Sequence, residues 1–212
     1  LTDGYIANGA EPWRFPKAAD LPGIEVKFKT ELAEDEPQFQ PYRRDEKLAR
    51  PWAIPGTPGL EHRIGGLEKQ DITGNISYDS ENHQKMVKIR QAKVDQLAND
   101  IPEQKLDSGP ESGKVLVLGW GSTYGAIKSA VTELQGQGHA ISHAHLRYVR
   151  PFPRNLGDMI KRFDKVVVPE INNGQLIRII RDLYFVDAIP YNKIKGVPIT
   201  KTELVAELKK HL

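Results

Sequence analysis

Apolar residues follow a clear rhythm through the second half of this chain. Val115–Leu118 form an unbroken apolar run closed by Gly119 and Gly121. It lacks the alternation of a half-exposed strand, so it predicts a strand covered on both faces, as in a parallel sheet under helices. Ala126, Ile127, Ala130, Val131 and Leu134 then recur at helical spacing. This predicts an amphipathic helix that Ser122 can cap and that Gly136 and Gly138 stop. A second strand is expected from about Ala140 to Val149, with Pro151 and Pro153 preventing further pairing. The stretch Lys114 to Arg150 is thus a strand–helix–strand unit around which the rest is organised.

Beyond it the alternation continues. A short helix is expected over Asn155 to Phe163, a third strand over Lys165 to Pro169, and a helix over Gly174 to Leu183. Val186 to Ile189 start a fourth strand, Tyr191 to Ile194 extend it or form a fifth, and Thr202 with Glu203 opens a final helix. Strands alternating with helices argue for a three-layer α/β/α domain.

The first half reads differently. Leu1 to Tyr5 looks like the end of a strand and Ile6 to Ala10 like a short turn, so the sequence reads as part of a longer chain. Residues 25–56 are charged and punctuated by Pro37, Pro41, Pro51 and Pro55, which forbid a long helix; Trp13, Phe39, Tyr42 and Trp52 are the expected anchors. A connection this long is expected to lie on a neighbouring domain or subunit. Thr73, Gly74 and Asn75 predict a hairpin between Leu67 and Tyr78. Asp79 or Ser80 then caps a long helix with Met86, Ile89, Val94, Leu97 and Ile101 on one stripe. Asp107, Ser108, Gly109, Pro110 and Gly113 read as a flexible hinge.

Composition narrows the functional classes. The 212 residues, 39% hydrophobic and 27% charged, suffice for one good core with an appendage. No apolar run is long enough to span a bilayer and no signal-like start is present, so a soluble, cytoplasmic chain without membrane contact is expected. With no cysteine the chain offers no thiolate to an iron–sulfur cluster or a structural zinc. The net charge of +2 conceals an asymmetry: residues 1–113 carry 15 basic against 20 acidic side chains, and residues 114–212 carry 15 against 8. The basic half is either a solvated surface or a contact for phosphates or an acidic partner. Nucleic acid is not expected, because aromatics are only 8% and are not interleaved with the basic residues.

Several patterns invite chemistry. Gly119, Gly121 and Gly125 follow a strand and open a helix, where glycines can admit a pyrophosphate. The spacing is not that of the dinucleotide fingerprint, Trp120 is bulky, and the second strand ends in Arg147, Tyr148 and Val149 with no carboxylate for a ribose. A nucleotide-binding oxidoreductase of Rossmann type therefore stands as an alternative to a tight structural turn of Gly119, Gly121 and Ser122. His143, His145 and Arg147 share one strand face, the histidines as a metal-binding pair without a third ligand or as hydrogen-bonded imidazoles under a covering helix or at an interface. Glu170, at a strand's carboxyl end, is placed either for a ligand or to cap the next helix with Asn172 or Asn173. Glu61, His62 and Arg63, flanked by Gly56, Gly59, Gly65 and Gly66, have the composition of a loop that closes over a charged ligand. No nucleophile stands with its base, and no metal site is assigned.

LTDGYIANGAEPWRFP, GTPGLEHRIGGLEKQDITGNISYDSENHQKMV, VLGWGSTYGAI, HAHLRYVRPFPRNLG and VVVPEINNGQL occur in this order. Together they resemble the alpha subunit of 2-oxoglutarate:ferredoxin oxidoreductases, in the 2-oxoacid:acceptor oxidoreductase family, over nearly the whole chain. The resemblance implies a transketolase C-terminal-like domain over residues 112–212, with a mostly parallel five-stranded sheet. It implies an extended linker, Gly-rich hairpin and helix over 25–111, and over 1–24 a connector and the tail of a pyrimidine-binding domain. The activity implied is oxidative decarboxylation of a 2-oxoacid to its coenzyme A thioester. Thiamine diphosphate with Mg²⁺, coenzyme A and iron–sulfur clusters serve in the assembled enzyme, a beta subunit is the partner and ferredoxin the electron acceptor. None of these cofactors is expected on this chain alone. Its implied role is to pack subunits around a shared site, with Glu61, His62 and Arg63 facing substrate or coenzyme A; a pure protein-interaction module remains the other alternative.

Overall fold

The computed structural model describes residues 16–212, which divide into two compact units, 16–100 and Ile101–Leu212. The expected strand end and turn within Leu1–Ala10, and Trp13 as an anchor, lie outside the described residues.

The second unit is built on a five-stranded sheet. Its strands are β3 (Leu106–Ser108), β4 (Gly113–Trp120), β5 (Ile141–Leu146), β6 (Phe163–Glu170) and β7 (Ile189–Asn192), in the order β3-β5-β4-β6-β7. The pairs β5/β4, β4/β6 and β6/β7 are parallel, with Val117 opposite both His143 and Val167. Edge strand β3 runs antiparallel to β5. Helices α2 (Tyr124–Gly136) and α5 (Lys201–Leu208) join Val115, Val117, Ile141 and Val167 in one apolar cluster. Helices α3 (Leu156–Ile160) and α4 (Gln175–Tyr184) join Leu116, Leu118, Leu146, Val166 and Val168 in another. Alternate residues of the central strands therefore feed opposite cores, which is why their apolar runs are unbroken. The three-layer, mostly parallel sheet is as expected.

Two local expectations are corrected here. The stretch read as a flexible hinge is pinned: Leu106–Ser108 form β3, the Asp107 carboxylate accepts the His145 N–H at 2.9 Å, and the Ser142 hydroxyl donates to Pro110 O at 2.6 Å. Three residues containing an aspartate carry no periodicity, so only pairing to β5 reveals the strand. The last helix is capped by Thr200 rather than Thr202, in a reciprocal box in which Thr200 Oγ1 accepts from Glu203 N and Glu203 accepts from Thr200 N.

In the first unit, α1 (Ser80–Gln96) starts at Asp79, whose carboxylate accepts the Asn82 N–H at 2.9 Å. Isolated bridges Lys69↔Ile76 and Tyr42↔Ile72 form the Gly-rich hairpin and tie residue 42 to it. Asp71 is gripped by Arg44 and Lys85, each at 2.6 Å, and its N–H donates to Asn82 Oδ1. Burial pushes the Asp71 carboxyl up, but the Lys85 and Arg44 cations outweigh it and hold it below its ordinary value. Phe39 is buried, whereas Trp52 is 60% exposed beside Phe28 and is not the anchor expected of it. These two aromatics lie in register on the two-residue parallel strands β1 (Phe28–Lys29) and β2 (Trp52–Ala53). Among the described residues no helix is long and apolar enough to cross a membrane.

Candidate functional site

β4 leads through α2 to β5 on one side, while β6 lies on its other side. The carboxyl ends of β4 and β6 are therefore the switch point where sheets of this kind hold ligands. Trp120 ends β4 and Glu170 ends β6, and the indole Nε1–H donates to Glu170 Oε1 at 3.3 Å. The Glu170 carboxylate is fully buried and also accepts the N–H of Leu176 at 2.9 Å and of Ile177 at 3.2 Å; Asn172 Oδ1 accepts the Gln175 N–H at 2.9 Å. The positive end of α4 is thus already occupied by the chain's own oxygens. Of the two sequence readings of Glu170, this is the capping one.

After Trp120, Gly121–Thr123 make one 3₁₀ turn before α2 begins at Tyr124. Gly121 has φ +60°, and Ser122 is half-buried within the turn. Thr123 holds the turn, donating from Oγ1 to Trp120 O at 2.7 Å and accepting from Trp120 N at 3.3 Å. Gly119 is bare for a different reason: a Cβ there would stand 2.3 Å from Ile127 Cδ1 and 3.0 Å from His145 Nδ1. Close approach of helix and imidazole, rather than of a pyrophosphate, accounts for this glycine.

His143 and His145 do share a face, with ring centroids 5.9 Å apart and Tyr124 lying 5.5 and 5.0 Å from them. His145 Nε2 donates to Gly121 O at 3.1 Å, which leaves its buried Nδ1 unprotonated and without a partner. His143 is fully buried and neither of its ring nitrogens has a hydrogen-bond partner, which corrects the expectation of hydrogen-bonded imidazoles. Burial lowers the pKa of both rings, that of His143 to about 4, with the Asp107 carboxylate opposing. Arg147, beyond the strand's end, is exposed.

The second candidate lies in the first unit. Leu60 is buried and anchors the loop, while Glu61, His62 and Arg63 are exposed. His62 is tied back, its Nδ1 2.8 Å from Leu60 O and its ring edge-on to Phe39 at 5.0 Å. The far side of the loop is held by Lys69, a buried lysine whose ammonium donates to the carbonyls of Gly65 and Leu67. Arg63 has no ion-pair partner among the described residues. One loop therefore presents a free cation, a carboxylate and a fixed imidazole, a set that can bind an anion and relay a proton. Sequence reading missed the lysine pin, the Thr123 hydroxyl and the Trp120–Glu170 bond. For the last, the signal was available: two motifs end adjacent strands, one in an N–H donor and the other in a carboxylate.

The family described as pyruvate:ferredoxin oxidoreductase core domain II matches residues 113–203. A 2-oxoglutarate oxidoreductase subunit KorA from Mycobacterium tuberculosis is 48% identical over 205 residues, 96% of this chain. The alpha subunit of 2-oxoacid:ferredoxin oxidoreductase 1 from Aeropyrum pernix is 30% identical over 85% of it. The chain spans 30% and 28% of the length of these two relatives. Among solved structures, the 2-oxoglutarate:ferredoxin oxidoreductase from Magnetococcus marinus with 2-oxoglutarate, coenzyme A and succinyl-CoA bound superposes with a TM-score of 0.80. The identity is 27%, and the match covers 92% of this chain and 34% of that one. By sequence and by fold, this chain is similar over most of its length to part of the alpha subunits of 2-oxoacid:ferredoxin oxidoreductases, and its residues 113–203 match core domain II.

Proposed function

We propose that this chain is part of the alpha subunit of a thiamine-diphosphate-dependent 2-oxoacid:ferredoxin oxidoreductase that converts 2-oxoglutarate to succinyl-CoA in the cytoplasm. The observation that carries this is the superposition over 92% of the chain on an enzyme solved with 2-oxoglutarate, coenzyme A and succinyl-CoA bound. Within the subunit we read residues 112–212 as the transketolase C-terminal-like domain, 25–111 as linker, hairpin and helix, and 1–24 as connector and tail of the pyrimidine-binding domain.

The chain's part is to assemble and to shape. It has no cysteine, so the iron–sulfur clusters that would carry electrons to ferredoxin are held outside these residues, and we propose the beta subunit as their holder. The diphosphate of thiamine does not fit the turn at β6, because the Glu170 carboxylate fills the α4 amides. When bound elsewhere in the enzyme, thiamine diphosphate with Mg²⁺ supplies the carbanion stabilisation that decarboxylation requires. For this chain we assign the Glu61, His62, Arg63 loop to the substrate or coenzyme A side, with Arg63 gripping a carboxylate or phosphate. The turn of Gly119, Gly121 and Ser122 we assign a structural role. The test is to purify the complete alpha subunit with its beta subunit and follow coenzyme A-dependent reduction of ferredoxin. Preference for 2-oxoglutarate over pyruvate is expected; pyruvate as the better substrate, or no turnover of either, would overturn the assignment.

A further inference from the structure

Among the described residues, the first unit leaves an apolar face uncovered. Ile24, Val26 and Phe28 occupy alternate positions leading into β1 and are 86%, 45% and 44% exposed; Trp52 and Ile54, alternate positions at β2, are 60% and 51% exposed. Phe28 and Trp52 are in register, with rings 6.4 Å apart. Three features make this more than a scatter of surface hydrophobics. Parallel strands are ordinarily buried on both faces, and a two-stranded sheet of two residues per strand is not stable by itself. Among the described residues each strand pairs only with the other, so both outer edges retain unpaired N–H and C=O groups there. Finally, five large apolar residues in one neighbourhood form a patch of the kind that marks an interaction site.

A groove of about 780 Å³ runs beside Trp52. Lys27, Arg50 and Lys93 line it with no ion-pair partner among the described residues, and Arg43, also lining it, is paired with Asp35. Of its two carboxylates, Asp45 is turned onto its own loop, accepting the N–H groups of Lys47 and Ala49, which leaves Glu25 against the three cations.

We propose that this face and groove receive an extended segment of a partner subunit in which apolar and acidic residues alternate. The segment adds a third strand to a free edge of the ladder. Its apolar side chains cover Phe28 and Trp52, and its carboxylates meet Lys27, Arg50 and Lys93. The inference rests on the reading of the chain as one subunit of a larger oxidoreductase and names the surface through which it joins.

The test uses the complete alpha and beta subunits. Hydroxyl-radical footprinting should show Phe28 and Trp52 reactive in the isolated alpha subunit and protected at least fivefold in the active complex. The double variant Lys27→Glu, Lys93→Glu, whose side chains make no ion pair here, should weaken association at least tenfold while leaving the melting temperature of isolated alpha unchanged. Trp52→Asp should weaken association as well. Protection already complete in isolated alpha would mean that its own chain covers the face, and self-association of alpha through it would mean a second copy does; either overturns the proposal. So does unchanged affinity in the charge-reversed variant. If the complex forms and oxidises 2-oxoglutarate yet these residues stay reactive, the inference fails and the functional reading stands. If no active complex forms, both fail.

Discussion

Glu170 and His143 are both fully buried polar side chains within one sheet, but they are supported in opposite ways. The carboxylate of Glu170 has three N–H donors, so removing it strands two backbone amides and an indole. Glu170→Ala should destabilise the sheet unit by about 3 kcal/mol in urea titrations, with Glu170→Gln recovering part of that. His143 has no partner at all, and its folded pKa of about 4 lies below the ordinary value of 6.5. Above pH 6.5 neither folded nor unfolded chain binds the proton and no cost arises. As pH falls from 6.5 towards 4 the unfolded chain alone takes it up, so stability is lost, by about 2 kcal/mol at pH 5. His143→Leu should abolish that component, narrowing the gap between melting temperatures at pH 7 and pH 5. That His143 and His145 share one face of β5 is visible in sequence from their spacing; the full burial of His143 and its lack of partners are not, because both depend on what α2 lays over that face.

At the scale of elements, the strand-to-helix turn after β4 shows how a glycine-rich motif can be purely mechanical. Gly121 sits at φ +60°, which a β-branched side chain cannot adopt without strain. Gly121→Val should cost about 1–3 kcal/mol by denaturant titration. Adding NAD should not raise the melting temperature of the wild-type protein; protection by NAD would revive the nucleotide-binding alternative. The long periodic elements here were legible: the apolar run of β4, the stripe of α2, and the capped start of α1 at Asp79. What escaped were elements whose identity lies in a partner. β3 is three residues that become a strand only against β5, and Thr200 outranks Thr202 because only it stands three residues before Glu203.

Across the whole molecule, the order of the sequence motifs pointed to the family, whereas no spacing pointed to the loop at Glu61, His62 and Arg63 beyond its charge and glycines. The structure leaves Arg63 exposed and His62 tied to its own backbone, so an effect on catalysis requires a ligand to come to the arginine. In the assembled alpha–beta enzyme, Arg63→Ala should raise KM for the 2-oxoacid or for coenzyme A about tenfold, equivalent to about 1.4 kcal/mol. If both KM values and kcat stay at the wild-type level, the loop is a connector. The anchoring of that loop also carries a consequence for proteolysis. Trypsin must draw several residues on either side of a basic side chain into an extended conformation. Lys69 is buried, with its ammonium closed on the carbonyls of Gly65 and Leu67, while Arg63 lies free six residues before it. Brief digestion should therefore cut after Arg63 and spare Lys69, and the size of the resulting fragments, read by mass spectrometry, reports whether the pin is closed.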